Sequence, residues 1–223
     1  MSGRFAAVIL DVDGTLVDSN DAHAVAYTRA MREAGFEIEQ QKVRRLIGMG
    51  SDKLLPSAIG VEKDSPQGSR IADRKKEILK DEHLANLQPC RGARQLVQAL
   101  RDRGIDMIVA SSAGDDELKD LLQAAQVDDL IDQHTSSSDA EQSKPDAAIV
   151  QAAIDQLGVK ANEALMIGDT PYDVEAATGA GVAIIAVRCG GWDDASLAGA
   201  IAVYDDPAEL LAHLHEYFEM SNA

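Results

Sequence analysis

The amino-acid sequence predicts an α/β protein: a Rossmann-like, three-layer αβα core on a parallel sheet, with a helical cap inserted after the first strand. Three observations carry this. From residue 86 onward, short apolar runs alternate with amphipathic helical patterns, the mark of successive βα units. The first apolar run, Phe5–Leu10, is instead followed by a stretch, 18–86, that offers helix after helix and no convincing strand. Finally, 223 residues with 45% hydrophobic and 26% charged content are enough for one large core, or a core plus a small domain.

In chain order, Phe5–Leu10 is the first strand and ends at Asp11. A helix begins near Ser19, carries Ala22, Val25, Ala26 and Ala30 on one face, and stops at Gly35. Further helices fit 39–47, 51–59 and 69–85, before Gln88 and Pro89 return the chain to the core. The core domain is thus expected to comprise 1–17 and 87–223 and the helical cap domain 18–86, joined by two short hinges. Beyond the cap, Ile105–Ala110, Leu165–Ile167 and Val182–Val187 read as strands. Between them, Ala93, Leu96, Val97 and Leu100 repeat at i, i+3, i+4, i+7, as do Leu118, Leu121, Leu122 and Ala125, and Val150, Ala153, Ile154 and Leu157. Each set is one buried helical stripe. Asp206 before Pro207 reads as an N-cap and first-turn proline, opening a last helix with Leu210, Leu211, Leu214, Tyr217 and Phe218 on its apolar face.

Acidic residues outnumber basic ones 38 to 21, a net charge of −17, which makes phosphate backbones and anionic lipid poor partners. Nucleic acid and membrane are therefore not expected as partners. Phe5–Leu10 is too short for a signal segment or for the ~20 residues that span a bilayer, so a cytoplasmic location is expected. Cys90 and Cys189 are far apart with no zinc-like spacing, which suits free thiols better than a disulfide. A monomer or a homodimer is expected.

In parallel sheets, ligands bind outside the carboxyl ends of the strands. There the sequence places Asp11, Val12, Asp13, Gly14 and Thr15 after the first run, and Ser111 and Ser112 after the second; Lys144 stands just before Pro145; Gly168, Asp169, Thr170, Pro171, Tyr172 and Asp173 follow Leu165–Ile167. Carboxylates converging from neighbouring strands repel one another unless a cation intervenes. Oxygen-only ligands favour Mg²⁺. One carboxylate could then attack phosphorus and form an aspartyl-phosphate. Lys144, the Ser111 hydroxyl and the backbone N–H groups after it could hold the transferring oxygens, with Ser112 and Gly14 as further phosphate-binding candidates.

These segments resemble the haloacid dehalogenase superfamily, in particular its phosphoglycolate phosphatase-like and β-phosphoglucomutase-like members with a helical cap. DVDGTLVDS at 11–19, VASS at 109–112, SKP at 143–145 and GDTPYD at 168–173 look like its four motifs, and the resemblance covers essentially the whole chain. It implies that Asp11 is the nucleophile, Asp13 the general acid and base, and Ser111 and Lys144 the remaining catalytic groups. Mg²⁺ would be held by the Asp11 and Asp169 side chains and the Asp13 backbone carbonyl, with Asp173 supporting from behind. Dehalogenases of this fold lack the second aspartate, so Asp13 argues for phosphate chemistry. β-Phosphoglucomutase carries a cap arginine roughly where Ser51 stands. The reading is therefore a Mg²⁺-dependent phosphatase of a small phosphorylated metabolite, phosphoglycolate- or sugar-phosphate-like, with a phosphomutase as the alternative. A phospho-receiver or Mg²⁺-binding module is the non-enzymatic alternative, but a receiver has no helical insertion and its phospho-acceptor follows a central strand.

Each residue also has an ordinary reading. Asp13–Gly14 is a common turn dipeptide, Ser111 and Ser112 could cap the next helix, Lys144 could be a solvated lysine, and Asp173 could answer a helix dipole. It is the order of all four motifs that favours the joint reading. His23 and Lys53 are candidates for cap or hinge contacts, as is Arg45. Gly48, Met49 and Gly50 read as a cap turn and Trp192 as a loop anchor; Met49, Met107 and Met166 read as packing.

Overall fold

The computed structural model describes residues 5–136 and 142–218. Strand β1 (Ala7–Leu10) leads through a short strand β2 (Val17–Asp18) into helices α1 (Asn20–Glu33), α2 (Gln40–Arg44), α3 (Ser51–Ile59) and α4 (Pro66–Ile78), and the chain returns through β3 (Gln88–Pro89). Then follow α5 (Ala93–Asp102), β4 (Asp106–Ala110), α6 (Asp115–Ala124), β5 (His134–Thr135), α7 (Ala148–Leu157), β6 (Ala164–Gly168), α8 (Pro171–Gly179), β7 (Ala183–Val187), β8 (Ala202–Tyr204) and α9 (Pro207–His213). Six strands form one parallel sheet in the order β5-β4-β1-β6-β7-β8.

Both faces of the sheet are covered, so its central strands are apolar throughout and successive side chains enter opposite cores. Val8, Leu10, Val109, Leu165 and Ile167 pack with Leu96 of α5, Leu121 of α6 and Leu210 of α9. Ile9, Ile108, Ala110 and Met166 pack with Ile149 of α7 and Ala177 of α8. The helices between β2 and β3 have an apolar cluster of their own, including Ala26, Met31, Val43, Leu55, Ile71 and Ile78.

The structure departs from the sequence pattern in three places. The face of α1 is rotated: Ala22 and Val25 are only half-buried, whereas His23, Ala24, Tyr27 and Met31 are buried. The helix is covered on two sides, by its neighbours and by the core at the end of β1, so one apolar stripe underestimates what it buries. Helix α4 starts at Pro66 rather than 69, because the Ser65 side chain accepts from Gly68 N at 3.0 Å and Pro66 suits the first turn. It then gives way to a wider turn at Leu79–His83 and a tight one at Leu84–Asn86. Strands β2 and β3, two residues each, pair antiparallel and join the two crossings into the helical insertion, too briefly for any periodicity to reveal them.

Candidate active site

With β4 on one side of β1 and β6 on the other, the winding of the chain reverses at β1 and a crevice opens at the ends of these three strands. Asp11, Ser111 and Asp169 each follow one of them. After β1 the chain turns tightly: the N–H groups of Thr15, Leu16 and Val17 all donate to Val12 O, at 3.2, 2.8 and 3.1 Å. Gly14 sits in this turn with φ 76°, and a Cβ there would stand 2.1 Å from Asn20 Nδ2 and 2.3 Å from Asp169 Oδ2. Only glycine fits.

The half of the site nearest the sheet is acidic and buried. Asp11, Asp169 and Asp173 each offer a carboxylate oxygen, and the three atoms lie within 4.8 Å of one another. Lys144, 1% exposed, donates to Asp11 Oδ1 and lies 2.8 Å from Asp173 Oδ1. The Thr15 hydroxyl stands between Asp11 Oδ2 (3.1 Å) and Asp169 Oδ1 (3.2 Å). Asp173 also opens α8, through a capping box in which its Oδ2 accepts from Thr170 N and Oγ1 while Thr170 Oγ1 accepts from Asp173 N. Burial and then the Asp173 charge push the Asp11 carboxyl up to about 7, against the pull of Lys144. Burial, Asp11 and Asp173 likewise hold Asp169 well above the usual range. Burial alone would lower the Lys144 ammonium, but Asp11 and Asp173 raise it. One cation among three carboxylates leaves a charge deficit, and an oxygen-only donor set of this kind can hold a divalent metal ion.

Asp13 faces the other way. Its Oδ1 accepts from Ser19 Oγ and is 2.8 Å from His23 Nε2 on α1. Burial would raise this carboxyl, but His23, the Ser19 hydroxyl and the more distant Lys75 outweigh it and hold it at about 2. Behind His23, Lys75 of α4 and Glu117 of α6 pair at 2.7 Å, with His23 Nδ1 3.9 Å from Glu117 Oε1 and the Lys75 ammonium 5.1 Å from the Tyr27 ring centre. Asp11, Asp13, His23, Tyr27, Lys75, Ser111, Ser112 and Glu117 line one cleft, closed on its far side by Gly48–Asp52 of the helical insertion.

The other residues expected at the site divide between the cleft and the surface. Ser111 is buried and its Oγ accepts from Ala113 N at 3.1 Å, while the N-cap of α6 is Gly114, so neither serine caps that helix. Ser112 lines the cleft, its Oγ without a hydrogen-bond partner among the described residues. Lys53 reaches away from the carboxylates to Gln142 Oε1 at 2.6 Å. Met49 belongs to the cleft wall, Arg45 is exposed, and Trp192 packs edge-on against Tyr172, ring centres 6.2 Å apart, outside the cleft. Cys90 and Cys189 are free thiols, Cys189 donating to Gly14 O at 3.1 Å. The sequence patterns assign no role to Thr15, although they place it at the strand end, and they do not single out Asn20, Lys75 or Glu117. Thr15 and Asn20 lie inside or beside the first motif, where their position is the signal, whereas the Lys75–Glu117 pair joins separate elements and leaves no local signal.

A family model described as haloacid dehalogenase-like hydrolase matches residues 8–187. The chain belongs to the haloacid dehalogenase-like hydrolase family. It is 32% identical over 214 residues to a phosphoglycolate phosphatase of Rhodospirillum rubrum, covering 92% of this chain and 88% of that one. It is 30% identical over 216 residues to an N-acetylmuramic acid 6-phosphate phosphatase of Pseudomonas aeruginosa, covering 93% and 94%. A crystal structure of a hydrolase from Pseudomonas syringae superposes with a TM-score of 0.88 at 29% identity, covering 95% of this chain and 98% of that one. The αβα core with its parallel sheet is the haloacid dehalogenase-like fold; phosphatases of this family need a divalent metal, and the buried Asp cluster could hold one.

Proposed function

We propose that this protein is a Mg²⁺-dependent phosphatase that hydrolyses a small phosphorylated metabolite, of the phosphoglycolate or sugar-phosphate kind, through an aspartyl-phosphate on Asp11. The observation that carries the reading is the meeting of Asp11 with the buried Lys144, Asp169 and Asp173 beyond the end of β1, Asp11 itself lining a cleft together with Asp13 and Ser111. Phosphatases that share about a third of the sequence over nearly the whole chain support it. The helical insertion, 18–86, would act as the cap over the 1–17 and 87–223 core.

Mg²⁺ would be held by the Asp11 and Asp169 carboxylates and the Asp13 backbone carbonyl, with Asp173 supporting, and when bound it supplies positive charge that draws in the phosphoryl group and offsets charge developing on its oxygens. Lys144 keeps Asp11 oriented and favours its anionic form, which a bound cation would complete, and Ser111 and the N–H groups after it, with Ser112 and Gly14 nearby, receive the phosphoryl oxygens. An Asp11 oxygen attacks phosphorus, the bond to the leaving oxygen breaks, and Asp13 delivers a proton to that oxygen. Water then attacks the aspartyl-phosphate, Asp13 takes the proton back, and phosphate leaves with Asp11 restored. Beside His23 and Ser19, Asp13 is ionised, the form that accepts the proton from water. To serve as acid it must part from His23 and Ser19, after which burial favours its protonated form.

Ser51 hydrogen-bonds Tyr27 at 2.7 Å, and no arginine lines the cleft among the described residues, so nothing there offers a guanidinium grip on a second phosphate of a mutase substrate. The test is phosphate release with Mg²⁺ across phosphorylated carboxylic acids, sugar phosphates and nucleotides, with Asp11→Asn as the inactive control. Repeated turnover on one class is the expected result. Absence of turnover on every class, or conversion of one sugar phosphate isomer into another, counts against hydrolysis.

A further inference from the structure

Asn20 is the first residue of α1, 1% exposed, and stands against the acidic cluster. Its Nδ2 is 2.8 Å from Asp169 Oδ2 and 3.2 Å from the Gly190 carbonyl oxygen. The Gly190 oxygen can only accept, so the amide must turn its NH₂ toward these two oxygens and its Oδ1 away from them. That Oδ1 is buried and has no hydrogen-bond partner among the described residues. Two glycines make room for the pair: a Cβ on Gly14 would stand 2.1 Å from Asn20 Nδ2, and one on Gly190 1.6 Å from Asp169 Oδ2. Asn20 donates to Asp169 Oδ2, while the single Thr15 proton is shared between Asp169 Oδ1 and Asp11 Oδ2, and it is Asn20 that ties Asp169 to the loop after β7.

We propose that Asn20 is a positioning residue for the cation site, fixing the Asp169 carboxylate through Nδ2 and tying it to the Gly190 carbonyl. The inference rests on the reading of the Asp11–Asp169–Asp173 cluster as a metal site and adds to it a residue that is not itself a carboxylate.

The test uses the full chain stripped of metal, titrated with Mg²⁺ alone by calorimetry and with Mn²⁺ by electron paramagnetic resonance. Loss of a group that orients a metal ligand typically weakens metal binding by about 10–100-fold, and that rise in Kd is expected for Asn20→Ala. Asn20→Ser, whose single hydroxyl proton serves only one of the two acceptors, should lie between wild type and Asn20→Ala. An Asn20→Ala protein that folds and binds both ions within about twofold of wild type overturns the proposal, because a role confined to holding the fold would leave Kd unmoved. If Asn20→Ala does not fold, an unchanged Kd in Asn20→Ser overturns it in the same way. Failure of the wild type itself to bind either ion would overturn the metal reading, and this inference with it.

Discussion

Asp11 and Asp13 are separated by one residue yet belong to opposite electrostatic halves of one cleft. On the sheet side, Asp11 shares a buried space with Asp169, Asp173 and one ammonium, and its carboxyl is pushed up to about 7. On the insertion side, Asp13 has His23 and Ser19 as partners, with the Lys75–Glu117 pair behind them, and is held at about 2. The first half sets three carboxylates against one ammonium; the second is neutralised by the protein's own side chains. In the proposed mechanism that difference, and not the two sequence positions, separates the group that attacks phosphorus from the one that exchanges protons.

The sharpest way to break the comparison is to make each aspartate an asparagine. Asp11→Asn should abolish turnover of every substrate, since no nucleophile remains. Asp13→Asn should lower kcat by roughly 10²–10⁴ for alkyl phosphates, yet by less for p-nitrophenyl phosphate, whose leaving group needs little protonation. Equal losses on both kinds of substrate would put the two residues in the same role. Steady-state kinetics with the two substrates decides.

Removing the metal tests the acidic half by itself. In the metal-free protein the folded Asp11 carboxyl titrates at about 7 against an ordinary value of 3.8, so between these values the folded state holds a proton that the unfolded chain has released. Stability should therefore fall as pH rises across that window, the reverse of a salt-bridged aspartate. Melting in EDTA at pH 5 and pH 7.5, then with Mg²⁺ added, should show a larger stabilisation by the ion at the higher pH. A shift independent of pH would mean that the ion does not meet these carboxylates.

The self-neutralised half predicts a different pattern. Lys75 and Glu117 are almost completely buried, so Lys75→Met or Glu117→Gln strands an unpaired group and should cost about 3–5 kcal/mol in urea denaturation. The double variant Lys75→Met/Glu117→Gln should recover much of that loss, because no unpaired charge of the pair is then left buried. Strict additivity of the two single effects would show that the residues do not act as a pair.

The two halves also differ in how far the sequence reveals them. Asp11, Ser111 and Asp169 each follow an apolar run at the carboxyl edge, so the alternating βα pattern is enough to locate them, whereas Lys144 follows no run read as a strand and is found by its place before Pro145 and by the likeness of SKP to a family motif. Asp173 is legible too, although its double duty as the capping partner of Thr170 is not. The other half depends on how α1 and α4 are rotated against α6. An apolar stripe of Ala22, Val25, Ala26 and Ala30 places the face of α1 about one residue away from the buried His23 and Tyr27, because small apolar residues mark a face weakly when polar ones are buried beside them. Strands of two residues, β2, β3 and β5, carry no periodicity at all.

Lys53 gives the mildest test, and it marks where the insertion-side half ends. A cation on the cap is a natural candidate for gripping a substrate anion. In the structure its ammonium instead meets Gln142 Oε1 at 2.6 Å, at an exposed contact between the insertion and the loop leading to Lys144. A hydrogen bond open to water contributes little net, because solvent takes over either partner when the other is removed. Next to it, Asp52 accepts from Ser143 N at 3.3 Å and from Ser143 Oγ, which in turn accepts from Gly50 N at 3.1 Å, so the seat of this loop does not depend on Lys53. Lys53→Ala should therefore leave kcat and KM within about twofold of wild type, while Asp52→Ala, which releases Ser143 beside Lys144, should lower kcat further. If Lys53→Ala instead raised KM strongly with kcat unchanged, the ammonium would be contacting substrate, and the insertion-side half would extend to the cleft's outer rim.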